Sequence, residues 1–243
     1  MRIGQTSNPV LSKNTLSRVY EEASGEGLMS INGTVNKTIL SLLLVVLSSY
    51  FTWQSQNMVW GIVGAVGGFI VAMITAFKPK VAHITTPIYA LLEGLFLGGI
   101  SVYFNSMYPG IAFQSVVLTF GVAFAMLFAY RTGLLKASPK FVKGVVAATG
   151  GIAIFYIINI IFGFFGGGVS LASMGMWGIG IQLVIVVVAA LNLILDFDMI
   201  ERLSVQGAPK VMEWYGAFSL TVTLVWLYLE ILKLLALLAG NRD

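Results

Sequence analysis

Residues 177–200 read WGIGIQLVIVVVAALNLILDFDMI, and this stretch decides the fold. No formally charged residue occurs in it before Asp196. An α-helix rises about 1.5 Å per residue, so roughly 20 residues of this kind cross a hydrocarbon core of roughly 30 Å. The surrounding chain agrees with a membrane span. Of 243 residues, 58% are hydrophobic and only 10% charged, against a charged share of about 25% in soluble domains. A water-soluble fold of this size lacks the polar residues to cover so much apolar surface. That excludes a soluble enzyme, a disordered protein and a secreted disulfide scaffold. With no cysteine in the chain, thiol catalysis and Cys-based metal sites are excluded as well.

Similar apolar runs recur outward from this one. Spans are expected near 34–54, 57–77, 86–105, 111–131, 142–164, 177–200 and 212–239, seven in all. The breaks between them carry turn formers, among them Lys78-Pro79-Lys80, Tyr108-Pro109-Gly110, Gly166-Gly167-Gly168 and Gly207-Ala208-Pro209. Lipid cannot satisfy bare backbone groups, and no ten-residue alternation suggests a barrel. The expected fold is therefore all-α, a polytopic membrane protein with seven transmembrane helices. Residues 1–30 are polar and show no apolar core after a basic start, which argues against a signal peptide. They read as a short N-terminal tail ahead of a transmembrane domain at 31–240.

Basic residues orient the chain. Of its 14 Lys and Arg, all but Lys233 and Arg242 fall on alternate loops or at their edges. By the positive-inside rule the N-terminus is expected in the cytoplasm and the C-terminus outside. The basic residues are dispersed anchors with no clustered face, so nucleic acid is not an expected partner and the lipid bilayer is. Tyr50, Trp53, Trp60, Tyr103, Tyr108 and Trp177 fall at the outer ends, as interface anchors do. Small residues four apart, Gly64 with Gly68 and Gly94 with Gly98, read as helix-packing positions.

An ionisable residue inside a span costs roughly 2.5–3.5 kcal/mol on insertion scales. Glu93, Asp196, Asp198, Glu230 and Lys233 therefore each ask for an explanation. Asn192 and Asp196 are four apart and share a helix face. Asp198 points elsewhere and has Arg202 four residues on, which suits an interfacial ion pair. Asp196 has no basic residue at those spacings, leaving a buried functional role or a plain interfacial carboxylate. In span seven, Ser219, Thr223 and Glu230 lie within roughly 20° of one line. The two hydroxyls could simply bond back to their own helix, and Glu230 could pair with Lys233 three residues on. Glu93 has no basic neighbour on its own span and needs a partner from another helix or a proton. His83, in a loop beside Lys78 and Lys80, reads as solvated.

Nothing else reads as chemistry. There is no phosphate-binding loop, no His-rich metal motif, no Ser/His/Asp set, and no paired-Asp protease motif. No enzyme and no cofactor are expected.

The segment Leu195-Asp196-Phe197-Asp198-Met199-Ile200 resembles the sixth-helix Asp-Thr-Gln-Xaa-Ile signature of the Bax inhibitor-1 (transmembrane BAX inhibitor motif) family. Leu227-Tyr228-Leu229-Glu230-Ile231-Leu232-Lys233-Leu234 is similar to its last-helix Leu-Tyr-Leu-Asp-Ile-Ile-Asn-Leu. Residues 8–11, 32–38, 92–98, 130–134 and 207–218 look like a bacterial branch of that family. The resemblance implies a seven-helix bundle with the last helix near the centre, in a bacterial inner (plasma) membrane. It also implies a pH-sensitive calcium leak in which two acids share a proton as sensor and gate, at positions falling on Asp196 and Glu230. Two nearby carboxylates in low dielectric cannot easily both ionise, so such a pair titrates as a unit. Calcium, the transported ion on this view, seeks several oxygens, which the two acids could supply transiently with Asn192, Asn159 and water. Glu93 is a further candidate for the ion path, and Lys233 and Asp198 are candidate modulators. Lys233 stands where the family has Asn and would compete with calcium. The two acids are 34 residues apart, with Glu230 about 27 Å up its helix. They meet only if 203–216 lies along the interface or span six runs deeper. The alternatives are a non-transporting regulator that binds other membrane proteins through 1–30 or 131–143, and a proton-coupled small-solute transporter.

Overall fold

The computed structural model describes residues 27–241. The expected tail and Arg242 lie largely or wholly outside them. Seven helices follow: α1 (Ile31–Ser55), α2 (Met58–Phe77), α3 (Ala82–Met107), α4 (Ile111–Arg131), α5 (Pro139–Phe164), α6 (Met176–Val205) and α7 (Met212–Gly240). Short 3-10 turns at Pro79–Val81 and Leu171–Met174 precede α3 and α6. All seven helices are long and apolar enough to cross a membrane, and no strand occurs among the described residues. The chain is a multi-pass membrane protein.

Local chemistry sets the boundaries. Ser30 caps α1 by accepting from the Gly33 N–H at 2.9 Å, and Asn57 caps α2 by accepting from Val59 at 3.0 Å. Ser138 caps α5, and Pro139 stands at its first position, where the missing N–H loses no bond. Two boundaries differ from expectation. Helix α3 starts at Ala82 rather than near 86 and runs through Pro87; Pro is tolerated in transmembrane helices because neighbours re-satisfy the freed groups. Helix α6 continues past 200 to Val205, carrying Glu201 and Arg202 on its last turns.

Between helices in lipid the hydrophobic drive is absent, so close packing and polar bonds must hold the fold. The paired glycines supply the first. A Cβ on Gly64 of α2 would lie 2.4 Å from the Leu92 carbonyl of α3, and one on Gly94 would lie 2.3 Å from the Val45 carbonyl of α1. Backbone approach this tight admits no side chain. Helix α7 packs against α1, α3, α4 and α6. Its inward residues Leu227 and Leu232 are wholly buried, as are Leu193 and Ile194 of α6. Helix α5 packs chiefly on α6 and leaves most of its surface facing outward.

Candidate functional site

Polar contacts gather on α7 at three levels. The first joins the starts of α1 and α7. Residues 27–30 pair with the loop before α7, with Met29 N–H donating to Ala208 O at 2.8 Å and Lys210 N–H to Gly27 O at 3.1 Å. Buried Glu213 then accepts from the Ser30 N–H at 2.9 Å, the Ser30 hydroxyl at 3.0 Å and the Lys37 ammonium. Lys37 also lies 5.5 Å from the Trp214 ring centre. Sequence reading missed Glu213, because nothing along the chain links a carboxylate at the start of span seven to a lysine at the start of span one.

The second level holds Asp196, which is only 8% exposed. Its Oδ1 accepts from the Ser219 hydroxyl at 2.5 Å, and Thr223 flanks it one turn further along α7. Ser219 thus points across to α6 instead of bonding back to its own helix. Asp196 Oδ2 is fully buried and has no hydrogen-bond partner among the described residues. Such an orphan is costly in low dielectric. Asn192, one turn away, does not reach this carboxylate. Its amide donates to Thr149 of α5 and to its own Val188 carbonyl, both at 2.8 Å.

Glu230 forms the third level. Its Oε2 accepts from Tyr156 of α5 at 2.8 Å and from Gln182 of α6 at 2.7 Å. Its Oε1 accepts from the Trp226 indole at 3.0 Å and from Lys233 at 2.7 Å. The Lys233 ammonium also donates to the Tyr156 hydroxyl at 2.7 Å and lies 4.4 Å from the centre of that ring. Four donors therefore fill the acceptor sites of one carboxylate. The ion-pair alternative for Glu230 and Lys233 is what the structure contains. Gln182 and Tyr156 went unremarked in the sequence because neither carries a formal charge inside a span.

These levels do not meet. Asp196 touches α7 at Ser219 and Gln182 touches it at Glu230, so the two acids are separated by about 16 Å along α7 and about 21 Å along α6. The long run of α6 does not close the gap, because α6 meets Ser219 with Asp196 and Glu230 with Gln182, so the two helices run antiparallel and the acids lie at different levels. A proton-sharing pair at Asp196 and Glu230 is not formed here, nor a shared calcium cage. Among the described residues, no group of three or more acidic or His side chains could hold a metal ion. Asn159 is not part of either level; it clasps Val169 in the loop after α5 through two bonds of 3.0 and 2.7 Å. Asp198 pairs with Arg202 at 2.7 Å, as its spacing suggests. Glu93 sits on α3 against Gly68 of α2, and the three salt bridges among the described residues leave it without a cation.

No curated protein and no solved structure matches this chain. One family model, described as Bax inhibitor 1 like, matches residues 8–240. That span contains all seven helices and all three polar levels of α7, and on it the chain belongs to the Bax inhibitor 1 like family.

Proposed function

We propose that this protein is a non-enzymatic, proton-regulated cation leak of a bacterial inner membrane, with calcium as the ion and the N-terminus in the cytoplasm. The two acids act in series at different depths of α7 rather than as one pair. The observation that carries this reading is the orphaned Oδ2 of Asp196, a buried carboxylate oxygen with room in its bonding for a proton, a water or a passing cation. Glu230 is the opposite case. It is held by Lys233, and a cation reaching it must displace that ammonium. Asp196 is thus the proton-responsive group and Glu230 with Lys233 the closed constriction.

Calcium entry into dye-loaded liposomes containing the purified protein, followed from pH 5 to 8, tests this. Wild type is expected to leak with a pH dependence that Asp196→Asn flattens, while Glu230→Gln raises flux by freeing the constriction. Wild type that passes no calcium at any pH sinks the leak reading.

A further inference from the structure

Helices α1 and α4 both lean on α7 without packing on one another. The gap between them is a groove. One cavity of about 1020 Å³ lies toward the end where the basic loops gather, a second of about 360 Å³ lies in the other half, and both are lined by Leu42, Phe120 and Leu224. The walls of the larger part are apolar and open sideways, with Val35 and Ile39 of α1 46% and 52% exposed and Phe124 of α4 68% exposed. Where α4 ends, the lining turns cationic with Arg131, the last residue of α4, and Lys136 of the α4–α5 loop. Asp198 and Glu201 also line this end; Asp198 is paired with Arg202 at 2.7 Å, while Glu201 accepts from the Tyr130 hydroxyl at 2.5 Å and keeps its charge, so the cations outnumber the unpaired carboxylate by two to one. Among the described residues, neither Arg131 nor Lys136 belongs to a salt bridge.

We propose that the α1–α4 groove binds an anionic phospholipid, with its acyl chains along the two apolar walls and its phosphate on Arg131 and Lys136. The shape and the charge demand different parts of one molecule. A free phosphate would leave the apolar walls unused, and an uncharged apolar ligand would leave two unpaired cations at the membrane edge. Basic side chains between transmembrane helices at the headgroup level are suited to anionic lipid heads. The groove opens toward lipid, so such a ligand enters from the leaflet without crossing water.

Native mass spectrometry of the full-length protein in neutral detergent tests this with added phosphatidylglycerol or phosphatidylcholine. Wild type is expected to retain phosphatidylglycerol in preference. The double variant R131Q/K136Q should lose that retention about tenfold or more, since each basic residue near an anionic head contributes about fivefold, with phosphatidylcholine unchanged. K78Q/K80Q removes the same charge from a loop at the same end but off the groove, and should behave as wild type. All four residues are exposed, so these variants are expected to fold. Equal retention of both lipids by wild type overturns the proposal. So does an equal loss in K78Q/K80Q, which would mean a diffuse basic belt. A photo-crosslinker at Leu127 that captures residues 1–26 instead of lipid would overturn it too, making the groove a seat for the chain's own tail.

Discussion

Substituting Asp196 and Glu230 singly and together separates one shared site from two independent ones. In Glu230→Gln, the carboxamide offers one oxygen where four donors converge, and its NH2 must face two of them whichever way it is turned. Removing one partner of a buried ion pair costs about 3–5 kcal/mol. Lys233 is 35% exposed and can turn its ammonium outward, which puts the expected loss nearer about 2–3 kcal/mol. For a chain of this length that corresponds to roughly 5–10 °C in melting temperature. Asp196→Asn is different. Oδ1 still accepts from Ser219, and the new NH2 replaces an oxygen that has no partner, so the change should stay within about 1 kcal/mol. Sites separated by more than about 7–10 Å add to within about 0.5 kcal/mol, and the double variant should therefore show the sum of the two single effects. The four proteins would be heated in one detergent and scored by the surviving monodisperse size-exclusion peak. A coupling above about 1 kcal/mol, or an Asp196→Asn as damaging as Glu230→Gln, would refute the separation of the acids.

Two further substitutions probe the other contacts by the same melting assay. Gly94→Ala places a Cβ 2.0 Å from Ser48 Oγ and 2.3 Å from the Val45 carbonyl, and should cost about 1–3 kcal/mol; Gly121→Ala, which meets nothing within 4 Å, should be neutral or stabilising, and equal effects would mean that α1 and α3 do not approach so closely. Lys37→Met leaves the 2%-exposed Glu213 with its two Ser30 donors alone and should cost about 3 kcal/mol, whereas Asp198→Asn loses a pair whose Arg202 is 60% exposed and should change stability by less than about 0.5 kcal/mol. A melting temperature for Asp198→Asn as low as that of Lys37→Met would show that the α6 pair is buried after all.

The spans were legible because a membrane imposes one rule, a run of about 20 apolar residues closed by turn formers, and each of the seven described helices is long and apolar enough to obey it. One boundary slipped at the start of α3: a span was expected from near 86, yet the helix begins at Ala82 and carries Pro87 inside it. The ionisable residues inside spans were legible for a related reason, since each is expensive and stands out against its neighbours. Their partners were not. Spacing along one helix disclosed the Asp198–Arg202 and Glu230–Lys233 pairs, which are local. It could not disclose that Ser219 serves Asp196, that Gln182 and Tyr156 serve Glu230, or that Lys37 crosses to Glu213, because helix register across a bundle is fixed by packing that no single segment contains. Family resemblance joined Asp196 to Glu230; the register of α6 on α7 places them apart.

The three acids of this central region differ in how completely they are satisfied, and that difference orders their roles. Glu213 has a lysine and two Ser30 donors, and it fastens the beginning of α1 to the beginning of α7. Glu230 has four donors from three helices, one of them a lysine on its own helix only three residues away. A carboxylate and an ammonium so close along one helix offset each other's charge, so this position costs less inside the membrane than a lone acid, and its bonds join α5, α6 and α7. Asp196 has one hydroxyl and one bare oxygen. A second donor at that position would remove the penalty, because an unmatched buried acceptor costs about 1–3 kcal/mol. Asp196 is therefore the least satisfied of the three acids, and on the function proposed above it is the position left open to a proton, a water or a cation.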